Sequence, residues 1–176
     1  SLFPSDNNNT EGWGLKFGDF NGDGYIDLFS SASVDMPHDV KPSVYYYNSD
    51  LNIYEREQLP IVIGWQHDAI TYDLNNDGFD DIITTGYSSS PRVYLGSEDG
   101  LAESNAFGVG RMPRGSGIWI GDIDLDSQLD VIMTDYGSNA YQDSEVYTLK
   151  FDEQSTEYYL DFKFKLPPNR LQESGS

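Results

Sequence analysis

The chain has 176 residues, 30 of them acidic and 10 basic, and it contains no cysteine. The formal net charge of −20 disfavours binding to nucleic acid or to an anionic membrane, because both require a basic face, and it favours binding of cations. The missing cysteines exclude disulfides, zinc–thiolate sites and cysteine nucleophiles.

The first predicted element is a metal-binding turn at residues 18–29, where oxygen-bearing side chains recur at alternate positions. Counted from the first aspartate, positions 1, 3, 5 and 9 are Asp19, Asn21, Asp23 and Asp27. The backbone carbonyl of Tyr25 at position 7 adds a fifth oxygen, and a glycine at position 6 permits the sharp reversal of the chain. Calcium takes about six to eight oxygen ligands, so we predict that this turn binds Ca²⁺.

The same pattern recurs twice, with first aspartates 54 and 49 residues apart along the chain. In the second copy the predicted ligands are Asp73, Asn75, Asp77, Phe79 through its carbonyl, and Asp81. In the third copy they are Asp122, Asp124, Asp126, Gln128 through its carbonyl, and Asp130. We therefore predict up to three Ca²⁺ ions, one in each turn.

Apolar residues on both sides of each turn predict that it joins two β-strands. Two and four residues before the first aspartates lie alternating residues that we expect to face a core, namely Phe17 and Leu15, Thr71 and Ala69, and Ile120 and Ile118. Apolar pairs typical of buried strands follow the last ligands, namely Leu28-Phe29, Ile82-Ile83 and Val131-Ile132.

Each unit continues with a third and a fourth predicted strand. The third strands open with similar tripeptides, Ser43-Val44-Tyr45, Arg92-Val93-Tyr94 and Glu145-Val146-Tyr147. The fourth strands are predicted at residues 51–57, 101–107 and 157–166, with the weakest pattern in the middle one. Turn-forming residues separate the strands and no helical period is evident, so the predicted fold is all-β with four antiparallel strands per unit.

Units of about 40 to 50 residues with four antiparallel strands are typical of β-propeller blades. The predicted blades are residues 12–60, 61–112 and 113–166, with 1–11 and 167–176 as flanking segments or remnants of neighbouring blades or linker. Over residues 12–150 the blades resemble the FG-GAP repeat of integrin α-subunit propellers, also called the VCBS repeat. The resemblance implies one Ca²⁺ between the first and second strands of each blade, in an extracellular recognition or adhesion protein.

Two features depart from the family pattern. Ser127 stands where the first two turns have glycine, so we expect the third turn to be strained or differently shaped, while the additional aspartate Asp124 should raise its attraction for a cation. Three blades are too few to close a ring, since propellers have about four to eight. We expect the chain to be part of a larger propeller or to pair with another chain.

Other interpretations of the acidic turns fit less well. A single cluster of this kind could be a solvated acidic turn, but three copies between matching strands argue against that interpretation. An EF-hand requires a glutamate at position 12 and helical flanks, whereas position 12 is Ser30, Thr84 or Met133 and the predicted flanks are strands. Dockerin-like turns lead into helices and fail for the same reason.

The sequence favours a protein that is not an enzyme. Its histidines, His38 and His67, lie in no nucleophile motif, although they would be the first candidates if the chain were the propeller of a polysaccharide lyase. The aromatic residues are expected to pack blade against blade, with sugar stacking by an exposed subset as the alternative. The most prominent are Tyr45-Tyr46-Tyr47, Trp65, Trp119 and Tyr158-Tyr159.

The predicted function is therefore a calcium-binding propeller segment with structural Ca²⁺, serving recognition or adhesion outside the cell or at its surface. The expected partners are a protein ligand or other propeller blades, with a glycan as the alternative and no nucleic acid. No direct membrane insertion is expected, and any signal or anchor would lie outside this sequence. The glycosylation sequon at Asn8 is close to chance frequency and is given little weight.

Overall fold

The structure is a computed structural model that describes residues 2, 14–31, 42–60, 66–86, 92–104, 115–135, 145–152 and 157–166. These residues contain twelve β-strands and no helix, and hence no helix that could cross a membrane. The first sheet contains β1 (Leu15–Gly18), β2 (Asp27–Ser30), β3 (Ser43–Asn48) and β4 (Ile53–Gln58). The second contains β5 (Gln66–Tyr72), β6 (Asp81–Gly86), β7 (Arg92–Leu95) and β8 (Ala102–Ser104). The third contains β9 (Gly115–Gly121), β10 (Asp130–Asp135), β11 (Glu145–Asp152) and β12 (Glu157–Lys165).

Each group of four strands forms its own antiparallel sheet, in which neighbours in sequence are also neighbours in space. In the first sheet Gly18 of β1 pairs with Asp27 of β2, so the acidic turn lies at the tip of a hairpin. The second and third sheets place their acidic turns in the same way, between β5 and β6 and between β9 and β10. The predicted all-β fold with three four-stranded antiparallel sheets is confirmed, and it is consistent with part of a β-propeller.

The fourth strands agree with the sequence pattern. The shortest of them is β8 with 3 residues, in the unit whose pattern is weakest, and the longest is β12 with 9 residues. All four strands of each sheet lie within one predicted blade, while the blade boundaries themselves stay predictions.

The hydrophobic core lies between neighbouring sheets rather than within one of them. Phe29 and Val44 of the first sheet pack with Ile82 and Tyr94 of the second, and the rings of Phe29 and Tyr94 are 5.8 Å apart. The opposite face of the second sheet carries Ile83, which packs against the third sheet. The apolar pairs after the turns are adjacent residues that point to opposite faces, so Ile82 and Ile83 belong to two different cores.

The first strands of the three sheets lie side by side, β1 next to β5 and β5 next to β9. Asp68 of β5 joins them, since its carboxylate lies 3.0 Å from Nζ of Lys16 in β1 and accepts a hydrogen bond of 3.4 Å from the N–H of Ile118 in β9. Adjacent first strands are the arrangement expected near the axis of a propeller.

The expectation that Leu15 and Phe17 face a core is wrong. Their side chains are 53% and 58% exposed, whereas the corresponding Ala69 in β5 and Ile120 in β9 are buried. On the other side of β1, Lys16 and Gly18 face the second sheet, so Leu15 and Phe17 point to a face that the described part of the chain leaves uncovered.

The far face of the third sheet also carries exposed aromatic side chains, although Val146 on the same face is buried. Trp119 of β9 and Phe164 of β12 point to this face and are 48% and 37% exposed, so Trp119 does not take the blade-packing role expected for it within the described residues. Tyr46 does take that role, because it packs against the core between the first and second sheets.

Candidate metal centre

The three acidic turns share one backbone shape. We call them loop 1 (residues 19–27), loop 2 (residues 73–81) and loop 3 (residues 122–130). Positions 4 and 6 have positive φ in every loop, at Gly22 and Gly24, Asn76 and Gly78, and Leu125 and Ser127. Two left-handed residues within three positions wind the chain tightly around its own acidic side chains.

The carboxylate at position 1 closes each loop by accepting two backbone hydrogen bonds. In loop 1, Asp19 accepts the N–H groups of Asp23 at 3.1 Å and Gly24 at 2.9 Å. Asp73 and Asp122 accept the N–H groups of positions 5 and 6 in the same way. The structure thus places the predicted first ligand of all three loops in equivalent positions.

Positions 3 and 5 of loops 1 and 2 are ordered by further hydrogen bonds. In loop 1, Asn21 Oδ1 accepts the N–H of Asp23 at 3.1 Å, and Asp23 Oδ1 accepts the N–H of Tyr25 at 2.9 Å. Asn75, Asp77 and Phe79 of loop 2 repeat these contacts. Backbone N–H groups therefore supply the partial positive charge that faces these carboxylates.

The aspartate at position 9 is buried and tied to the sheet. Asp27 is 0% exposed, and its two oxygens accept the N–H groups of Phe20 at 3.1 Å and of Tyr47 in β3 at 2.9 Å. In loop 2, Asp81 is equally buried and accepts the N–H groups of Leu74 and Gly96, both at 2.8 Å. This side chain therefore connects loop 1 to β3, and loop 2 to the residue that follows β7.

Burial makes the charge at position 9 costly. Desolvation raises the pKa of Asp27 to about 6, although the N–H groups of Tyr47 and Phe20 oppose the rise. Desolvation likewise raises the pKa of Asp81 to about 6, against the N–H groups of Gly96 and Leu74. A cation bound beside either carboxylate would stabilise its ionised form.

Loop 3 has the same backbone with less suitable residues. Leu125 at position 4 has φ 61° and a side chain that is 86% exposed, and Ser127 at position 6 has φ 67°. The left-handed region favours glycine or asparagine, which the other two loops have at these positions. The expectation of strain at Ser127 is therefore supported, and the alternative of a differently shaped turn is not.

A lysine from the fourth strand enters loop 3. Nζ of Lys163 in β12 lies 2.8 Å from Oδ2 of Asp124, 3.0 Å from Oδ2 of Asp126 and 3.0 Å from Oδ1 of Asp130. The hydrogen bond to Asp124 is the main cause of a raised pKa for Lys163. The N–H of Gln128, followed by the Lys163 ammonium, holds the pKa of Asp126 below its ordinary value.

The position-9 aspartate of loop 3 has different partners as a result. Asp130 still accepts the N–H of Ile123 at position 2, at 3.2 Å. Its other oxygen accepts hydrogen bonds from Oγ1 of Thr148 at 3.2 Å and from Nζ of Lys163. The N–H of Leu149 in β11, which corresponds to that of Tyr47 in β3, donates to the carbonyl of Leu129 instead.

Loops 1 and 2 contact each other directly. The N–H of Asp19 donates to Oδ2 of Asp80 at 2.8 Å, and the N–H of Asp80 donates to the carbonyl of Asp19 at 3.1 Å. Asp80 stands at position 8 and was not among the predicted site residues. Because Asp80 is adjacent to the predicted ligand Asp81, the sequence could have suggested it as a site residue. Its contact with Asp19 in another sheet is seen only in the structure.

The donors of loops 1 and 2 suit a hard cation. Each loop offers carboxylates at positions 1, 5 and 9, an amide oxygen at position 3 and a backbone carbonyl at position 7, all of them oxygens. The hydrogen bonds of the described residues give these carboxylates no lysine or arginine partner. In loop 3, oxygens of Asp122, Asp124 and Asp130 lie within 4.8 Å of one another, but two of these carboxylates bind the Lys163 ammonium.

The catalytic candidates of the sequence are not placed by the structure. His38 and Trp65 lie outside the described residues, and His67 is described only as part of β5. Of the predicted aromatic clusters, Tyr47 packs beside loop 1, with its ring 5.4 Å from that of Tyr25.

Part of the chain is similar to a known family of repeats. No curated protein matches the chain. Residues 73–133, which run from the start of loop 2 to β10 and include all of loop 3, match the family model described as FG-GAP-like repeat. This match is consistent with the FG-GAP and VCBS repeat family that the blades resemble.

Proposed function

We propose that the chain is a Ca²⁺-stabilised propeller segment that serves protein recognition or adhesion outside the cell and has no catalytic role. The observation that carries the proposal is the equivalence of loops 1 and 2. Both hold an all-oxygen donor set on the same backbone, and in both the aspartates at positions 1, 5 and 9 accept hydrogen bonds from backbone N–H groups.

Charge repulsion explains why a cation would matter in these loops. Two carboxylates about 4 Å apart repel by about 4 kcal/mol at an effective dielectric constant near 20 and by about 1 kcal/mol in bulk water. Ca²⁺ bound in loops 1 and 2 would change the formal charge from −20 to −16, since each ion adds two charges. The ion would stabilise the hairpin and, through Asp27 and Asp81, the third strand of each sheet.

The role of calcium is proposed to be structural because the loops are hydrogen-bonded to the strands of their sheets. The position-9 aspartates are buried and hydrogen-bonded to β3 and β7–β8 backbone, and the position-1 aspartates close the turns. Such loops in extracellular modules typically bind Ca²⁺ with dissociation constants of about 10⁻⁴ to 10⁻³ M. Sites of this affinity would be filled outside a cell and empty in resting cytosol, so the proposed structural role goes together with the proposed extracellular location.

Exposed apolar residues on the first and third sheets support other blades as partners. Leu15 and Phe17 are exposed at one end of the three sheets, and Trp119 and Phe164 at the other. In the described core, corresponding faces of the second sheet are covered by a neighbouring sheet on each side. We propose that further blades, from the same or another chain, cover the two ends, and that a protein ligand binds loops that differ between blades.

Thermal unfolding tests the calcium proposal. At a Ca²⁺ concentration about 100 times the dissociation constant, each filled site should add about 2.7 kcal/mol to the free energy of unfolding. The melting temperature should therefore be several degrees higher in Ca²⁺ than in EDTA. The matched control is the double variant D23N/D77N, which removes one carboxylate from each of loops 1 and 2 and should lose most of the difference. Equal melting temperatures of the unaltered protein in Ca²⁺ and EDTA would refute the proposal.

A lectin-like propeller is the second candidate. It is favoured by the exposed rings of Trp119 and Tyr159 on the same side of the third sheet, because such rings can stack on sugars. A glycan array probed in Ca²⁺ distinguishes the two functions. Retention that is lost in the variant Trp119→Ala would support glycan binding, whereas no retention together with capture of a protein ligand would reject it.

A further inference from the structure

We propose that loop 3 carries its own cation, the ammonium group of Lys163, and that this group occupies the position that Ca²⁺ would take. The inference builds on the proposed function, since it predicts calcium in loops 1 and 2 and none in loop 3. It concerns a residue of β12 that the spacing of the acidic turn does not reveal.

The contacts of Lys163 match those of a central cation. Its Nζ lies within 2.8 to 3.0 Å of one oxygen from each of positions 3, 5 and 9. An ammonium group has three N–H donors, so these three carboxylates satisfy it completely. Ca²⁺ would need the same oxygens at about 2.3 to 2.6 Å, and the two cations exclude each other.

A β-bulge brings the lysine to this place. β11 and β12 pair Val146 with Phe164 and Tyr147 with Phe162, which leaves Lys163 as an extra residue in β12. Bulges are known to redirect a side chain, here towards the hairpin loop two strands away.

The other two sheets lack this extra residue. In the first sheet, the corresponding residues Val44 and Tyr45 pair with the consecutive Glu57 and Arg56. In the second sheet, Val93 and Tyr94 pair with the consecutive Ser104 and Glu103. Lys163 therefore has no counterpart in β4 or β8, in agreement with the absence of a lysine among the described contacts of loops 1 and 2.

The charges of the three loops also support the proposal that the Lys163 ammonium group replaces Ca²⁺ in loop 3. Loops 1 and 2 have aspartate at positions 1, 5 and 9 and asparagine at position 3, a charge of −3 from these positions. Loop 3 has aspartate at all four positions, and Lys163 brings the total from −4 to −3. The additional carboxylate, Asp124, is also the one that lies closest to Nζ.

The first test is the number of Ca²⁺ ions bound by the unaltered protein in equilibrium dialysis or isothermal titration calorimetry. Two ions per chain are expected, and three would overturn the Lys163 proposal while leaving the calcium proposal intact. The variant Lys163→Met should gain a third ion, and failure to gain it while loops 1 and 2 stay filled would also count against the proposal.

The second test does not depend on calcium. In EDTA, Lys163→Met should lower the melting temperature by about 3 °C or more, because it leaves four carboxylates together without a cation. The matched control Lys150→Met removes an exposed lysine that pairs with the single carboxylate of Asp161, and it should change the melting temperature by less than about 1 °C. If the two variants are equally stable, Lys163 does not stabilise loop 3. If the unaltered protein binds no Ca²⁺ at all, the calcium proposal fails and this comparison alone decides the role of Lys163.

A spectroscopic signal can assign the third ion to its loop. Trp119 lies against Gly121, the residue just before loop 3, so its indole is well placed to sensitise Tb³⁺ luminescence when Tb³⁺ replaces Ca²⁺ there. Lys163→Met should show tryptophan-sensitised luminescence that the additional change Trp119→Phe removes. Luminescence of the same strength in the unaltered protein would contradict the proposal.

Discussion

Loops 1 and 2 differ from loop 3 in what balances their carboxylates, although all three have the same backbone. In each loop the position-1 aspartate accepts the N–H groups of positions 5 and 6, and positions 4 and 6 have positive φ. Loops 1 and 2 face their carboxylates with backbone N–H groups, whereas loop 3 adds the ammonium group of Lys163. The shape of the turn is thus compatible with two different counter-charges.

The comparison teaches that a metal-binding pattern is defined by its surroundings as well as by its spacing. Loop 3 has carboxylates at four of the predicted ligand positions and the other loops have three, so from the sequence alone loop 3 has the stronger attraction for a cation. One residue inserted in a strand 33 positions after Asp130 places an ammonium group among these carboxylates.

The largest effect is expected at the buried position 9. Asp81→Ala leaves the N–H groups of Leu74 and Gly96 without their acceptor, so the free energy of unfolding in EDTA should fall by about 3 kcal/mol. The control Asp77→Ala removes an exposed ligand of the same loop and should cost less than about 1 kcal/mol in EDTA. Chemical denaturation measures both values. Equal losses in EDTA would show that the hydrogen bonds of the buried Asp81 stabilise the fold no more than those of the exposed Asp77.

Much of this arrangement could be predicted from the sequence. The oxygen-bearing positions and the Val-Tyr strands recur in all three units, and loops 1 and 2 share a glycine at position 6. Strand alternation follows directly from such local patterns. Local patterns therefore predict the all-β fold and the hairpin position of each loop.

The remaining features depend on contacts between residues far apart in the chain. Lys163 reaches Asp126 across 37 residues, and Asp80 binds Asp19 across 61 residues. The exposure of Phe17 depends on which sheet covers β1, and this is a property of the assembly and not of the strand. No spacing rule within one repeat contains this information.

The junction between the first and second sheets contains a hydrogen bond to a partly buried tyrosine, Tyr46. Tyr46→Phe removes the acceptor of the Leu101 N–H, which lies 2.7 Å from the Tyr46 hydroxyl oxygen, and should cost about 1.5 kcal/mol. The control Tyr47→Phe removes an exposed hydrogen bond to Asn52 and should cost less than about 0.5 kcal/mol. Similar stabilities of the two variants would show that the hydrogen bond between Leu101 and Tyr46 does not stabilise the contact between the two sheets.

The same tyrosine predicts a pH dependence. Burial raises the pKa of Tyr46 from 10.0 to about 12, so the folded state retains a proton that the unfolded state loses first. This contribution to stability is complete below pH 10 and is lost as the pH rises to about 12. Between these pH values the unaltered protein should lose more stability than Tyr46→Phe, which has no hydroxyl to ionise.

A reciprocal exchange at position 6 tests the strain in loop 3. Ser127→Gly should raise the free energy of unfolding by about 1 kcal/mol, because glycine adopts φ 67° without steric cost. Gly78→Ser in loop 2 should lower it by a similar amount, since φ there is 94° and no neighbouring atom would stabilise the new side chain. If both substitutions changed the free energy of unfolding in the same direction, the interpretation that Ser127 is strained would be contradicted.

The smallest effect is expected from giving loop 2 the charge of loop 3 without its lysine. Asn75→Asp replaces the hydrogen bond from Nδ2 of Asn75 to Asp77 by a repulsion between two carboxylates. In EDTA this exposed change should cost less than about 1 kcal/mol and should weaken further in salt. In Ca²⁺ the sign should reverse, because the fourth carboxylate strengthens binding of the ion, whereas the neutral control Asn75→Ala should be destabilised in both conditions. If Asn75→Asp binds Ca²⁺ no more tightly than the unaltered protein, position 3 of loop 2 does not contact the ion. The difference in Ca²⁺ binding between loops 2 and 3 would then need a cause other than Lys163.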